Sequence, residues 1–109
     1  MDGTRIYLVI NMSNKSIISI ANKVIETEIK GLKKLSKSIN TSFAQAVNII
    51  NNTKGRIVCC GVGKSAKILE KISSTLSSIG IASFTLDPTD AGHGSLGAIC
   101  KGDVLIIAS

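Results

Sequence analysis

The stretch Arg56-Ile57-Val58-Cys59-Cys60-Gly61-Val62-Gly63-Lys64-Ser65 decides the fold of this 109-residue chain. Its first half contains a short apolar run, which is typical of a parallel strand covered on both faces. Its second half is a glycine turn, and a helical pattern follows with apolar residues at Leu69, Ile72, Leu76 and Ile79. The order strand, glycine turn, helix directs backbone N–H groups and a helix N-terminus toward one point. This arrangement suits an anionic group such as phosphate.

Two further apolar runs, Ala82–Leu86 and Val104–Ala108, predict a second and a third strand. Gly80 stands where the C-terminal cap of the intervening helix belongs. Two parallel strands joined by a helix form a right-handed crossover unit. The sequence therefore predicts an α/β fold, a three-layer α/β/α sandwich with a parallel sheet.

The first half of the chain predicts helices. We expect residues 1–14 to form an N-terminal extension, with Met12 as an alternative start, and residues 15–109 to form the domain. The segment Ser42–Gln45 fits a capping box at the start of a second helix. A first helix is indicated by a stripe at intervals of three and four, which consists of Ile17, Ala21, Val24, Glu28, Leu32 and Leu35.

Composition excludes several classes of partner. The net charge of +6 comes mainly from lysines spread along the first helix, which is typical of a solvated helix face, and only three residues are aromatic. We therefore expect no nucleic-acid partner. Three cysteines, two of them adjacent, form no disulfide framework. No apolar run approaches membrane-spanning length or resembles a signal peptide, so we expect no membrane partner and a cytoplasmic location.

The glycine turn differs from the two nucleotide-binding motifs that it most resembles. A P-loop requires a glycine at the position of Val58, and the dinucleotide pattern requires one at the position of Ala66. A plain strand–helix turn remains the alternative. Lys64 favours a ligand, because a cation beside the positive end of a helix is locally unfavourable unless an anion shares both.

The segment Pro88–Gly97 contains the only histidine of the chain, His93, between Gly92 and Gly94. Flanking glycines allow the backbone to approach a ligand closely. The segment follows the carboxyl end of the second strand, where open α/β sheets bind ligands. A polar surface residue and a ligand-binding residue are equally compatible with this pattern.

Together, Gly61–Ser65 and Pro88–Gly97 resemble the sugar isomerase (SIS) domain, and within it the arabinose-5-phosphate isomerase family. The similarity runs from about Ile17 to Ser109. It implies a SIS-type sandwich and interconversion of D-ribulose 5-phosphate and D-arabinose 5-phosphate, on the route to the lipopolysaccharide sugar Kdo. It also implies a small sugar phosphate as the partner and a homo-oligomer for the full-length protein.

The resemblance also implies functional residues. Lys64 is the catalytic candidate, as a group that stabilises the developing oxyanion. In the family, a histidine associated with zinc binding stands where this chain has Asp87. Because that histidine is replaced here, we expect no cofactor, with zinc at Asp87 as the open alternative. The substrate-binding candidates are Gly61, Gly63, Ser65, Gly80, Ile81, His93 and Ser109.

The chain stops at the first serine of the family's Ser-x-Ser-Gly phosphate-binding turn, Ser109. In the family, the catalytic glutamates and a histidine follow this point. We therefore expect an incomplete, N-terminal part of a SIS domain that is inactive alone. We also expect one alternating pair of the third strand, Leu105 with Ile107 or Val104 with Ile106, to be exposed. A non-catalytic phosphosugar-binding SIS module is the alternative function, and a small nucleotide-binding protein is a third hypothesis.

Overall fold

The computed structural model describes residues 11–92 and 94–109, which form two compact units, one within residues 1–41 and one within residues 42–109. The first unit contains helix α1, Asn14–Ser38. Ser13 caps it, because the Ser13 Oγ accepts a hydrogen bond of 3.1 Å from the Ser16 N–H. No residue of α1 is buried.

The second unit is built around a three-stranded parallel sheet. Helix α2 is followed by β1, helix α3, β2, the short helix α4, a 3₁₀ turn and β3. The bounds are α2, Thr41–Asn52; β1, Ile57–Gly61; α3, Lys64–Ser78; β2, Ser83–Leu86; α4, Pro88–Gly92; the 3₁₀ turn, Ser95–Ala98; and β3, Val104–Ala108. The predicted strands and the crossover helix are confirmed. Helix α2 begins at Thr41, which places Ser42 in the first turn rather than at the cap position.

The strand order is β2-β1-β3, so β1 is the central strand. In register, Cys59 lies beside Thr85 of β2 and Ile106 of β3. Ile57, Val58 and Cys59 are almost completely buried, which explains why β1 is apolar at consecutive positions. The carboxyl ends of all three strands consequently meet at one edge of the sheet.

One face of the sheet is covered by α3. Ile57 and Cys59 form a buried cluster with Leu69 of α3, and partly buried apolar residues of α2, α3 and β3 pack against it. The alternate residues of β3 are open, because Leu105 is 42% and Ile107 70% exposed. Of the two predicted pairs, Leu105 with Ile107 is therefore the exposed one.

No helix in the described parts of the chain combines the length and the hydropathy needed to cross a membrane.

Candidate functional site

The turn between β1 and α3 requires glycine at two positions. Gly61 is buried at the end of β1, and a Cβ there would lie 2.9 Å from the Cα and the backbone nitrogen of Ala66. Gly63 has φ +65°, a left-handed conformation that side chains disfavour. These two constraints fold the chain sharply from the strand into the helix.

The N-terminus of α3 begins at this turn. Gly63 occupies the cap position and offers no side chain to the first-turn N–H groups. The Ala66 N–H donates to the Gly63 carbonyl at 3.2 Å, so Lys64 and Ser65 carry the N–H groups for which an α-helix supplies no acceptor. The first turn contains no acidic residue. Lys64, the first helical residue, is exposed, and Ser65 is partly buried. The N-terminus of α3 thus offers backbone donors to an anion, and Lys64 and Ser65 stand in the same first turn.

The loop after β2 forms the opposite wall of a cleft. The Asp87 Oδ1 accepts a hydrogen bond of 2.7 Å from the Thr89 N–H and so caps α4. A cavity of about 190 Å³ separates this loop from the glycine turn, and Gly61, Gly63 and Asp87 are among its lining residues. The cleft lies at the carboxyl edge of the sheet, where ligands bind in open α/β folds.

A smaller cavity of about 80 Å³ adjoins the first, since both are lined by Gly61, Ala66 and Asp87. Its walls also include Cys59 and Glu70. Burial raises the pKa of the Cys59 thiol above its ordinary value, which keeps the thiol neutral. Cys59 is therefore an apolar part of the wall rather than a nucleophile.

Most of the predicted site residues lie at this edge. Ser109 follows β3 directly, and the end of β3 is joined to the turn by a 3.2 Å hydrogen bond from the Val62 N–H to the Ala108 carbonyl. The residues at the carboxyl edge are Gly61, Gly63, Lys64, Ser65, Asp87 and Ser109. His93 lies outside the described residues.

Gly80 and Ile81 lie at the opposite edge, because they precede β2. The four residues of β2, at about 3.3 Å each, put the two edges roughly 13 Å apart. Gly80 has φ +90°, and the Ile81 N–H donates to the Leu76 carbonyl at 2.9 Å, as in a Schellman cap of α3. Within one chain, these two residues do not share the cleft with Lys64.

The zinc alternative rests on Asp87. Among residues 11–92 and 94–109, no group of three or more His, Cys, Asp or Glu side chains is placed to hold a metal ion. One carboxylate oxygen of Asp87 is engaged in capping α4. Within these ranges, Asp87 therefore has no partner ligands.

Two features of the sites were not predicted. Glu70 is the seventh residue of α3, and it lines the smaller cavity. At the amino edge, Asp103 accepts hydrogen bonds from the Arg56 backbone N–H at 2.8 Å and the Cys100 N–H at 2.7 Å. The Arg56 guanidinium lies 3.0 Å from the Asp103 carboxylate.

These contacts lower the pKa of Asp103 from 3.8 to about 2, and the backbone N–H of Cys100 is the largest cause, followed by the Arg56 side chain. A lowered pKa stabilises the folded chain above the ordinary value of 3.8, and this contribution disappears as the pH falls toward about 2. We expect Asp103→Asn to lower the thermal unfolding midpoint at neutral pH by several degrees. The difference in midpoint between the variant and the native chain should shrink as the pH falls from 3.8 toward about 2. Thermal scans at successive pH values measure it.

Asp87→Asn is the matched control, because asparagine also caps helices and should leave the midpoint almost unchanged. An equal effect of both substitutions would contradict this role of Asp103.

Two relatives show what the chain resembles. It is 42% identical over 100 residues to arabinose 5-phosphate isomerase KdsD of Francisella tularensis, which covers 86% of this chain and 31% of that protein. It is 38% identical over 100 residues to KdsD of Pseudomonas aeruginosa, which covers 91% of this chain and 31% of that protein. The chain thus spans less than a third of the length of these relatives. No protein-family model matches the chain.

A solved structure agrees. A protein of Escherichia coli CFT073, solved in complex with arabinose 5-phosphate, has a TM-score of 0.83 at 34% identity, covering 90% of this chain and 52% of that chain. The predicted parallel α/β fold and the family resemblance are both confirmed. The chain is therefore homologous to the arabinose 5-phosphate isomerases over about a third of their length, and it has the fold of the sugar isomerase (SIS) domain.

Proposed function

We propose that this chain is the N-terminal portion of a sugar-phosphate isomerase that interconverts D-ribulose 5-phosphate and D-arabinose 5-phosphate. The observation that carries the proposal is the cleft at the carboxyl edge, where the glycine turn before α3 faces the Asp87 loop and Lys64 follows that turn as the first residue of the helix. The names of the relatives and the sugar-phosphate complex of the E. coli protein support the same substrate class. Such a reaction would supply a precursor of Kdo.

The reaction defines the roles. Aldose–ketose isomerisation moves a proton between neighbouring carbons through an enediol-like species, whose oxygen develops negative charge. In this proposal the ammonium group of Lys64 stabilises that oxygen. Gly61, Gly63 and Ser65 provide a close backbone approach and donors to anionic oxygens of the substrate, and Ser109 begins the neighbouring phosphate-binding turn. His93 is the further proposed substrate contact. Gly80 and Ile81 lie at the amino edge, so within one chain they do not contact the substrate bound beside Lys64.

The base for the proton transfer is the missing part. Asp103 lies at the opposite edge, and its low pKa makes it a poor proton acceptor. Glu70 lies at the cleft, but its carboxylate is 3.9 Å from the Lys67 ammonium group and half exposed. Among the described residues, no other carboxylate lines either cavity except Asp87, which caps α4. We therefore propose that the 109-residue chain is inactive alone.

A chimera tests the proposed reaction. In the Francisella enzyme, the 100 residues that match this chain are replaced by the corresponding residues of this chain. The rest of the Francisella enzyme then supplies the remaining catalytic residues. We expect the chimera to convert D-arabinose 5-phosphate to D-ribulose 5-phosphate. Deuterium incorporation from heavy water at the carbon next to the carbonyl confirms the proton transfer. A folded chimera that shows neither conversion nor exchange would contradict the proposal.

A second candidate function is a phosphosugar-binding SIS module without catalysis. It is favoured by one observation: the uncapped N-terminus of α3 adjoins the cleft, whereas among the described residues the carboxylates that line it, Glu70 and Asp87, are both engaged by other groups. In the same experiment, binding of D-arabinose 5-phosphate by the folded chimera without any deuterium exchange would select this candidate.

A further inference from the structure

Two hydroxyl groups meet where α3 packs on β2. The Ser73 Oγ of the helix and the Ser83 Oγ of the strand lie 2.7 Å apart in a hydrogen bond, and Ser73 is buried. Each hydroxyl therefore has a partner, as buried polar groups in folded proteins usually do. At this level, polar side chains join the helix directly to the strand.

The next polar residues toward the carboxyl edge are Glu70 on α3 and Thr85 on β2. The helix runs antiparallel to the strand, because it connects two parallel strands. Glu70 precedes Ser73 by three residues, roughly 4.5 Å along the helix axis, and lies on the same face of the helix. Thr85 follows Ser83 by two residues, roughly 6.6 Å along the strand, and lies on the same face of the sheet. Glu70 and Thr85 therefore stand on opposite walls of one crevice, the cavity of about 80 Å³ that both of them line.

Glu70 and Thr85 do not close this crevice as the two serines do. Among the residues that the structure describes, the Thr85 hydroxyl has no hydrogen-bond partner. The Glu70 carboxylate lies 3.9 Å from the Lys67 ammonium group, which is longer than a hydrogen bond. The carboxylate oxygens thus remain available as acceptors, and the threonine hydroxyl is available as a donor or an acceptor.

The floor of the crevice is apolar. Cys59 and Leu69 belong to the buried core cluster, and Leu86 is 9% exposed. All three line the crevice. The crevice exceeds the ~15 Å³ that a single water molecule requires, so it admits part of a ligand. An apolar floor between polar walls matches a polyhydroxylated carbon chain, whose C–H groups and hydroxyls face in different directions.

Charge and strand order together orient a sugar phosphate at this edge. A phosphate group beside the Glu70 carboxylate is repelled, whereas neutral hydroxyl groups donate hydrogen bonds to a carboxylate favourably. Ser109, where the proposed phosphate-binding turn begins, follows β3, so two strand spacings of roughly 4.8 Å each separate it from Thr85 of β2. A sugar phosphate that lies across the edge would therefore have its phosphate toward Ser109, its middle at the glycine turn and its far end at the crevice.

We propose that the crevice between Glu70 and Thr85 binds the hydroxylated end of the sugar, the end remote from the phosphate. The Glu70 carboxylate accepts hydrogen bonds from the sugar hydroxyls, and the Thr85 hydroxyl binds a neighbouring sugar oxygen. The inference rests on the proposed sugar-phosphate function and adds two residues that select the substrate. These residues determine affinity and specificity, and the base for the proton transfer remains a separate group.

Titration calorimetry on the Francisella chimera tests this role with two unreactive ligands, D-arabinitol 5-phosphate and inorganic phosphate. Glu70→Gln keeps the shape of the side chain and removes its charge, and Thr85→Val replaces only the hydroxyl by a methyl group. We expect Glu70→Gln to weaken binding of the pentitol phosphate about tenfold and Thr85→Val about fivefold, the usual range for one lost hydrogen bond. The affinity for inorganic phosphate should change less than about twofold in both variants, since the phosphate lies outside the crevice.

Thr75→Val is the matched control. The Thr75 hydroxyl donates to the Lys71 carbonyl within α3 at 2.9 Å, so this substitution should leave both affinities unchanged. Equal weakening for both ligands by the crevice variants, or no weakening of either, would overturn the inference, as would a native chimera that binds the two ligands equally well.

Turnover of the native chimera tests the isomerase proposal separately. Turnover together with equal effects on the two ligands contradicts only the role of the crevice. Selective loss of pentitol phosphate binding without turnover supports the crevice and contradicts only the isomerase function.

Discussion

Replacing Lys64 by alanine in the Francisella chimera should lower kcat/KM for D-arabinose 5-phosphate about 100-fold, the usual cost of losing one group that stabilises a developing oxyanion. The reason is local: Lys64 is the exposed first residue of α3, beside the glycine turn and the cleft. The loss should fall on kcat more than on KM, because the charge on the oxygen is greatest in the transition state. Steady-state kinetics with a coupled assay measure both constants.

Lys67→Ala is the matched control. Lys67 lies one turn further along the same helix, is largely exposed, and makes an ion pair of 3.9 Å with Glu70. An exposed pair of this kind contributes little, so its loss should change kcat/KM by less than threefold. Equal losses in the two variants would reduce Lys64 to a surface charge.

The second large effect concerns the 109-residue chain by itself, which should show no isomerase turnover and should self-associate. We expect no turnover because, among the carboxylates described around the sheet, Asp103 lies at the amino edge, Asp87 caps α4 and Glu70 is paired with Lys67. Association follows from Leu105 and Ile107, which are open on β3, and from the edge that β3 presents. At ~25 cal/mol per Å² of apolar surface, this exposure removes several kcal/mol of stabilisation from a small domain.

The coupled assay and sedimentation are run on the same sample. Replacing both Leu105 and Ile107 by lysine should remove the association, because it places two charges on the open face of β3. A monodisperse monomer of the native chain with measurable turnover would contradict both expectations: that the open face of β3 causes association, and that the chain lacks the catalytic base.

The fold was largely predictable because it is encoded locally. The apolar run of β1, the glycine turn and Gly80 each fix a boundary through nearby residues, and all three agree with the structure. The start of α2 differs from the prediction, because both Thr41 and Ser42 are residue types that can cap a helix: the helix begins at Thr41, and Ser42 lies in its first turn.

The amino-edge cluster could not be predicted in the same way. Arg56 and Asp103 are 47 residues apart, and they meet only because β3 pairs beside β1 in a particular register. A register of this kind depends on the whole sheet and leaves no local signal. The position of Glu70 at the cleft likewise depends on how α3 lies across the strands.

The candidate site was predictable in part. Strand direction alone implies that residues after β1 and β2 meet at one edge, and Lys64 and Asp87 do lie there. The same rule separates Gly80 and Ile81 from them, since these residues precede β2. Their grouping with Lys64 came from the family resemblance, and the arrangement within one chain does not reproduce it.

The most direct test of the central claim, an anion site at the β1–α3 turn, is an amide NMR titration of this chain with D-arabinose 5-phosphate, with D-arabinose as the control. We predict shifts in the amides of Gly63, Lys64, Ser65 and Ala66 and in the Asp87 loop, with the phosphorylated sugar only. Shifts confined to the amino edge, around Gly80 and Ile81, or equal shifts with the unphosphorylated sugar, would contradict the account.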